Sequence, residues 1–203
     1  MLTTKDSIWD RIKGFGEGSA FTPKDFTDLA ARGTVDVMLS RLVNDGKIRK
    51  IGRGLFDYPR TSTVFKDIRP PDINNAILAI GRKNRWIVVP HGAMAANMLG
   101  LSQQVPAKIV YLSSGPNKTY SIGEYKIYLH HISPRDLQSM HQISNTLIQA
   151  FRYLGQANIG SDEINGLSHK LSDEEKQQLL KDTRYQADWI YQAVRKIAEA
   201  KSK

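Results

Sequence analysis

The chain contains no cysteine, which excludes a disulfide framework, a thiolate metal site and a cysteine nucleophile. Only five histidines and the carboxylates remain as metal donors, so most zinc modules are excluded as well. No stretch approaches the roughly 18 consecutive apolar residues that a membrane span requires. The opening Met1-Leu2-Thr3-Thr4-Lys5-Asp6 lacks an apolar run of signal-peptide type. These absences predict a cytoplasmic protein with no membrane partner. No Gly-x-Gly-x-x-Gly or Walker pattern occurs, and Gly52-Arg53-Gly54 lacks the strand-to-helix context of a phosphate loop, so no nucleotide cofactor is expected. Ser102, Ser113 and Ser114 sit in no nucleophile-elbow pattern, which leaves a serine hydrolase without support. Internal repeats and low-complexity tracts are missing too.

Acid is also scarce. Lys and Arg number 29 against 20 Asp and Glu, a formal charge of +9 over 203 residues, which favours an anionic partner. The excess is local: +4 in residues 1–70, +5 in 71–160 and none in 161–203. Within the first segment, residues 47–60 hold Lys47, Arg49, Lys50, Arg53 and Arg60 against Asp57 alone.

The order of elements gives that charge a place. Ile8, Trp9, Ile12 and Phe15 fall at helical spacing and end at the glycine cluster 14–18. A second helix is predicted from Thr22 to about Arg32. Thr22 is its N-cap, Pro23 its first position, Asp25 the capping-box partner, and Phe21 with Phe26 a hydrophobic staple. Thr34 then caps a third helix with Val35, Met38, Leu39, Leu42 and Val43 on its core face. That leaves Asp36, Val37, Ser40, Arg41 and Asn44 facing solvent. Two short strands follow, Lys47-Ile48-Arg49-Lys50-Ile51 and Leu55-Phe56-Asp57-Tyr58, around Arg53 at a glycine-flanked tip. Three helices and a hairpin in this order describe a winged helix-turn-helix, whose third helix enters the major groove while the hairpin lies along the backbone.

The prolines of Arg69-Pro70-Pro71 predict a linker over 61–71, which divides the chain into a DNA-binding domain at 1–60 and a second domain at 72–203. The second domain reads as small and mixed α/β. It has a helix at 72–81, a strand at 86–89, a helix at 92–101, strands at 108–113, 119–122 and 125–132, helices at 137–154 and 161–167, and one long helix from the Ser172-Asp173-Glu174-Glu175 capping box to about Ala200. The fold class expected is α+β.

The candidate DNA-binding residues are Thr34, Ser40, Arg41 and Asn44 on the third helix, with Lys47, Arg49, Lys50 and Arg53 on the hairpin. The partner they imply is double-stranded DNA. Asp36 opposes phosphate contact unless it accepts from a cytosine amine or pairs with Arg32 or Arg41. A run of Lys and Arg on a hairpin can also be no more than a solvated edge.

The run from Phe21-Thr22-Pro23-Lys24-Asp25-Phe26 through Leu39-Ser40-Arg41-Leu42, then Gly46 to Phe56 and Pro59, resembles the winged-helix start of the AbiEi antitoxins of abortive-infection, type IV toxin-antitoxin systems. The likeness continues through the helix at 72–81 and the run from Ala93-Met94-Ala95-Ala96 to Leu99-Gly100-Leu101-Ser102-Gln103-Gln104-Val105-Pro106, covering about residues 1–137. It implies a repressor that binds repeats in its own promoter and counteracts a nucleotidyltransferase toxin encoded beside it. The alternative is a protein-interaction module that binds a toxin directly, with the winged helix as scaffold. Oligomeric state is left open.

No enzyme is expected. Pro71-Asp72 with Glu124-Tyr125-Lys126 formally matches the pattern of Mg²⁺-dependent nucleases, but 52 positions separate the acids and such triplets arise by chance on exposed strands. His130 and His131 face opposite ways on a strand, and His91 and His141 stand apart, so no metal site is assigned. The stripe Leu179, Leu180, Ala187, Ile190, Tyr191, Val194 and Ile197 reads as core, although helix-in-groove recognition uses the same spacing.

Overall fold

The computed structural model describes residues 3–61, 67–133, 137 and 141–200. It is a mixed α+β protein with eight α-helices and two small sheets among the described residues. Helix α1 (Thr4–Phe15) starts at a capping box in which Thr3 and Asp6 satisfy each other's backbone N–H groups. Strand β1 (Ala20–Phe21) follows, then a 3₁₀ turn at Pro23–Phe26 and helix α2 (Arg32–Asn44). Strands β2 (Arg49–Gly52) and β3 (Leu55–Asp57) form a hairpin, and β3 lies between β2 and β1.

The predicted second helix is present only as that 3₁₀ turn. Its capping chemistry holds, since Thr22 N–H donates to Asp25 Oδ2 at 2.7 Å, and Phe21 meets Phe26 edge-on with centroids 5.5 Å apart. The chain then follows i→i+3 bonds, Thr27 N to Lys24 O and Leu29 N to Phe26 O, which do not propagate into an α-helix. Helix α2 starts at Arg32 behind Ala31, which provides no side-chain cap. Thr34 therefore stands exposed in the first turn rather than capping it. At the far end Gly46 takes φ +69° and turns the chain out of α2. Ile8, Ile12, Phe21, Phe26, Val35, Leu39, Leu42, Ile48 and Phe56 form the core beneath these elements.

Helix α3 (Ile73–Asn84) is capped by Asp72, whose Oδ1 accepts from Asn75 N–H at 2.9 Å. It packs on β1 and β3. Asn75 donates to Gly18 O at 2.9 Å and Arg82 to Ala20 O at 3.0 Å. Gly81 allows the chain to double back, because a Cβ there would come within 2.9 Å of Val88. The first compact unit is accordingly residues 1–88 with 119–127, and the second is 89–118 with 128–203. A division at 61–71 does not describe this arrangement. A helix with Ala76, Ile77, Ala79 and Ile80 on one face buries that stripe on the sheet preceding it in sequence. Of the expected linker, residues 62–66 lie outside the described ones, while Thr61 bridges to Ile68.

Strands β4 (Val88–Pro90), β5 (Ile109–Ser113), β6 (Lys118–Ile122) and β7 (Tyr125–His131) are ordered β4-β5-β7-β6. Ile127 and Leu129 of β7 are buried, whereas Tyr125 is exposed. Helices α4 (Ala93–Met98), α5 (Gln142–Leu154), α6 (Ser161–Lys170), α7 (Asp173–Thr183) and α8 (Asp188–Glu199) complete the chain. The single helix expected from Ser172 to Ala200 is broken at 184–187. Unbroken, it would run about 40 Å at 1.5 Å per residue. Broken, α8 folds back on α7 and brings Ile190, Val194 and Ile197 into one core with Leu147, Phe151, Leu167 and Leu179.

Candidate nucleic-acid interface

The sequence nominated eight polar and cationic residues, and the structure divides them by what already occupies them. Arg49 is taken. It faces Asp57 across the hairpin, with Nε donating to Oδ1 at 3.0 Å and an Nη to Oδ2 at 2.6 Å, and the Asp57 side chain is only 2% exposed. A carboxylate so far out of water needs a cation with matched geometry. Arg49 is therefore a structural residue of the hairpin and leaves the list of free cations. Lys47 is partly taken. Its ammonium lies 5.1 Å from the Trp9 ring centroid and in the field of Asp6 and Asp45. Asp6 is held below the usual carboxylate range chiefly by Thr3, and Asp45 chiefly by Lys5, with Lys47 adding to both.

Arg41, Lys50 and Arg53 differ. All three are exposed, and among the described residues none of them forms an ion pair. The acid that threatened this surface is also occupied, because Asp36 receives Arg32 Nε at 3.0 and 3.1 Å. Ser40 donates its hydroxyl to Asp36 O one turn back, at 2.8 Å, which leaves its oxygen free to accept. Thr34 and Asn44 are exposed at the two ends of α2. Arg53 owes its position to the turn: Gly54 takes φ +63°, which closes the hairpin between Gly52 and Leu55.

Sequence reasoning missed the cations of α3, having assigned them to another domain. Lys83 lies against the hairpin tip, such that a Cβ added at Gly54 would meet its Nζ at 3.7 Å. Lys24 Nζ donates to Lys83 O at 3.0 Å. No local signal in the sequence joins residues 24, 54 and 83, which meet only because α3 lies on the first sheet.

A cleft of about 620 Å³ in the same unit is lined by Arg11, Arg60, Arg82, Asp25, Asn75 and Ser19 among others. Its cations are engaged. Arg11 grips Asp28 through two bonds of 2.6 and 2.8 Å and holds that carboxyl below its ordinary range. Arg60 donates to Glu17 O, and Arg82 to Ala20 O with Asp25 3.6 Å away.

Pro71 approaches Gly123, which brings the two halves of the nuclease-like pattern near each other, but Asp72 is engaged in capping α3 and Glu124 is exposed. Among the described residues no three His, Asp or Glu side chains form a metal-holding group. His131 donates Nδ1–H to Gly115 O at 2.9 Å, and His91 lies 3.3 Å from Gln149 Oε1. His141 and Ser144 meet Asp182 at the start of α5. There burial pushes the Asp182 carboxyl up, but bonds from Ser144, Gln178 and His141 outweigh it and hold it below its usual value. Ser144 donates to the carboxylate and not to the imidazole, so this is a helix-end network and not a nucleophile–base pair.

No helix among the described residues is long and apolar enough to cross a membrane. The model of a family of unknown function (DUF6088) matches residues 7–179. No curated protein matches the chain.

Proposed function

The chain belongs to the DUF6088 family, and from its own geometry we propose that it is a DNA-binding transcriptional repressor of the antitoxin type. In this reading the first unit is a winged helix-turn-helix. The order α1, β1, 3₁₀ turn, α2, β2, β3, with β3 central in the sheet, is the order that fold uses and supports the reading. Helix α2 enters the major groove and presents Ser40, Arg41 and Asn44 to base edges, while Lys50 and Arg53 meet phosphates. The observation that carries the proposal is that Arg41, Lys50 and Arg53 are exposed and unpaired among the described residues, whereas the acids around them have been answered by other cations. An excess of unpaired cations on a surface attracts duplex by releasing its counterions.

The resemblance to AbiEi antitoxins extends the proposal: the operator lies in the promoter of the chain's own operon, and a nucleotidyltransferase toxin is encoded beside it. Binding a toxin through the last helix finds no support, since Ile190, Val194 and Ile197 of α8 are buried in the second unit's own core.

The test is an electrophoretic shift with the DNA upstream of its own gene against a scrambled duplex. Specific binding at least about 10³-fold tighter than to the scramble is expected. Equal binding to both would remove the repressor, and absence of binding to either would remove the DNA contact altogether. Co-expression with the neighbouring gene tests the antitoxin half, with restored growth as the expected outcome.

A further inference from the structure

We infer that the C-terminal end of α3 is part of the duplex-binding surface, with Lys83 and Arg85 taking phosphates beside the hairpin tip; this inference rests on the DNA-binding reading above. Three observations within the first unit carry it.

The first is placement. The Lys83 ammonium lies against Gly54, the residue next to Arg53, and Lys24 is fixed to the Lys83 carbonyl at 3.0 Å. Lys24 of the 3₁₀ turn and Lys83 of α3 thus meet, with Lys83 against the hairpin tip, although 59 positions of sequence separate them.

The second is the backbone at residue 85. Arg85 takes φ 59° and ψ 37° and closes α3, its N–H directed to the carbonyls of Arg82 and Gly81. It is the only residue other than glycine with positive φ among the described ones. Glycine, or less often asparagine, fills this helix-ending position because a Cβ is strained there. Sparsely populated backbone of this kind persists where the surrounding structure or function requires it.

The third is the side chain itself. Arg85 is exposed, and among the described residues neither Arg85 nor Lys83 has an acidic partner. Asp25, an acid of the same unit, faces Arg82 at 3.6 Å and takes the Thr22 N–H. Arg82 and Lys83 in the last turn also answer the negative end of the helix dipole, a sufficient structural reason for cations at those two positions. The dipole favours a cation at residue 85 as well, but it does not remove the strain that a Cβ meets there and glycine would not.

The two accounts of Arg85 give opposite signs. If its side chain serves the fold, Arg85→Gly melts at a lower temperature. If it serves binding, the variant melts no lower than wild type while affinity for DNA falls. The experiment measures affinity for a short random-sequence duplex by anisotropy between about 50 and 200 mM salt, together with thermal melts. It compares the full chain as wild type, Arg85→Gly, Lys83→Ala and, as reference, Arg53→Ala. Each lost phosphate contact flattens the log–log salt slope by about 0.9, so that affinity changes about 3-fold less across that range. The expected result is a flatter slope for Arg85→Gly and Lys83→Ala, with Tm held or raised for Arg85→Gly. Unchanged slopes for both, beside a flatter Arg53→Ala, overturn the inference and leave the DNA-binding reading standing. Should Arg85→Gly melt lower, Lys83→Ala decides, and an unchanged slope there overturns the inference. A wild type that binds no duplex removes the reading and the inference together.

Discussion

The two ends of the β2–β3 hairpin carry the same kind of residue and treat it in opposite ways. At the open end Arg49 is clamped by a buried carboxylate, and at the closed end Arg53 stands between two glycines with no acid in reach among the described residues. They lie four positions apart, so the count of charge in a segment says little about how much of it is available. Residues 47–60 read as +4. With Arg49 taken by Asp57, Lys47 drawn to the Trp9 ring and Arg60 donating to Glu17 O, the cations there without such a contact are Lys50 and Arg53. Free charge then accumulates by tertiary placement, as α3 brings Lys83 to the tip.

That contrast can be broken at either end. Arg49→Ala leaves Asp57 buried without a counter-charge and is expected to cost about 3–5 kcal/mol of unfolding free energy. Arg53→Ala, an exposed change, is expected to move stability by less than about 0.5 kcal/mol. Urea denaturation of the two variants checks both, and equal losses would erase the distinction. Next in size, Arg41→Ala is expected to leave stability unchanged and reduce discrimination between operator and scrambled duplex by about 1–3 kcal/mol, read by competition binding. If only overall affinity falls, α2 contacts backbone and not bases.

The smallest effect concerns acid. Lys5 holds the Asp45 carboxyl below its ordinary range, so the folded form binds this proton less readily than the unfolded chain. Stability from this pair is fully present above the unfolded value near 4 and is lost as pH falls through the lower folded value. Thermal melts between about pH 5 and 2 should fall less steeply for Asp45→Asn than for wild type, and identical curves would show the pair to contribute nothing.

Local chemistry was legible in the sequence. The capping boxes at Thr22 and Ser172 are set by residues three apart, and the structure makes the bonds they predict. What depended on distant partners was not legible. Strand β1 is two residues long and exists only because β3, some 35 positions later, pairs with it. The turn at 184–187 contains neither glycine nor proline and is there because α8 packs back on α7. Arg69-Pro70-Pro71 has the composition of a linker, yet α3 returns to the first sheet immediately after it. Arg49 could have been caught, since opposite charges equidistant from a hairpin turn face each other across it. Lys83 and Arg85 could not, because nothing in their own stretch points to Gly54.

A repressor of this kind requires the tip of the hairpin to hold duplex phosphates. The direct measurement is the salt dependence of affinity for random-sequence duplex, wild type against Lys50→Ala/Arg53→Ala. The expected result is a slope flatter by about 1 for each side chain removed, with similar weakening on every sequence. A double variant that keeps the wild-type slope and affinity would contradict the account, for the cations left free by the fold would then have no partner to meet.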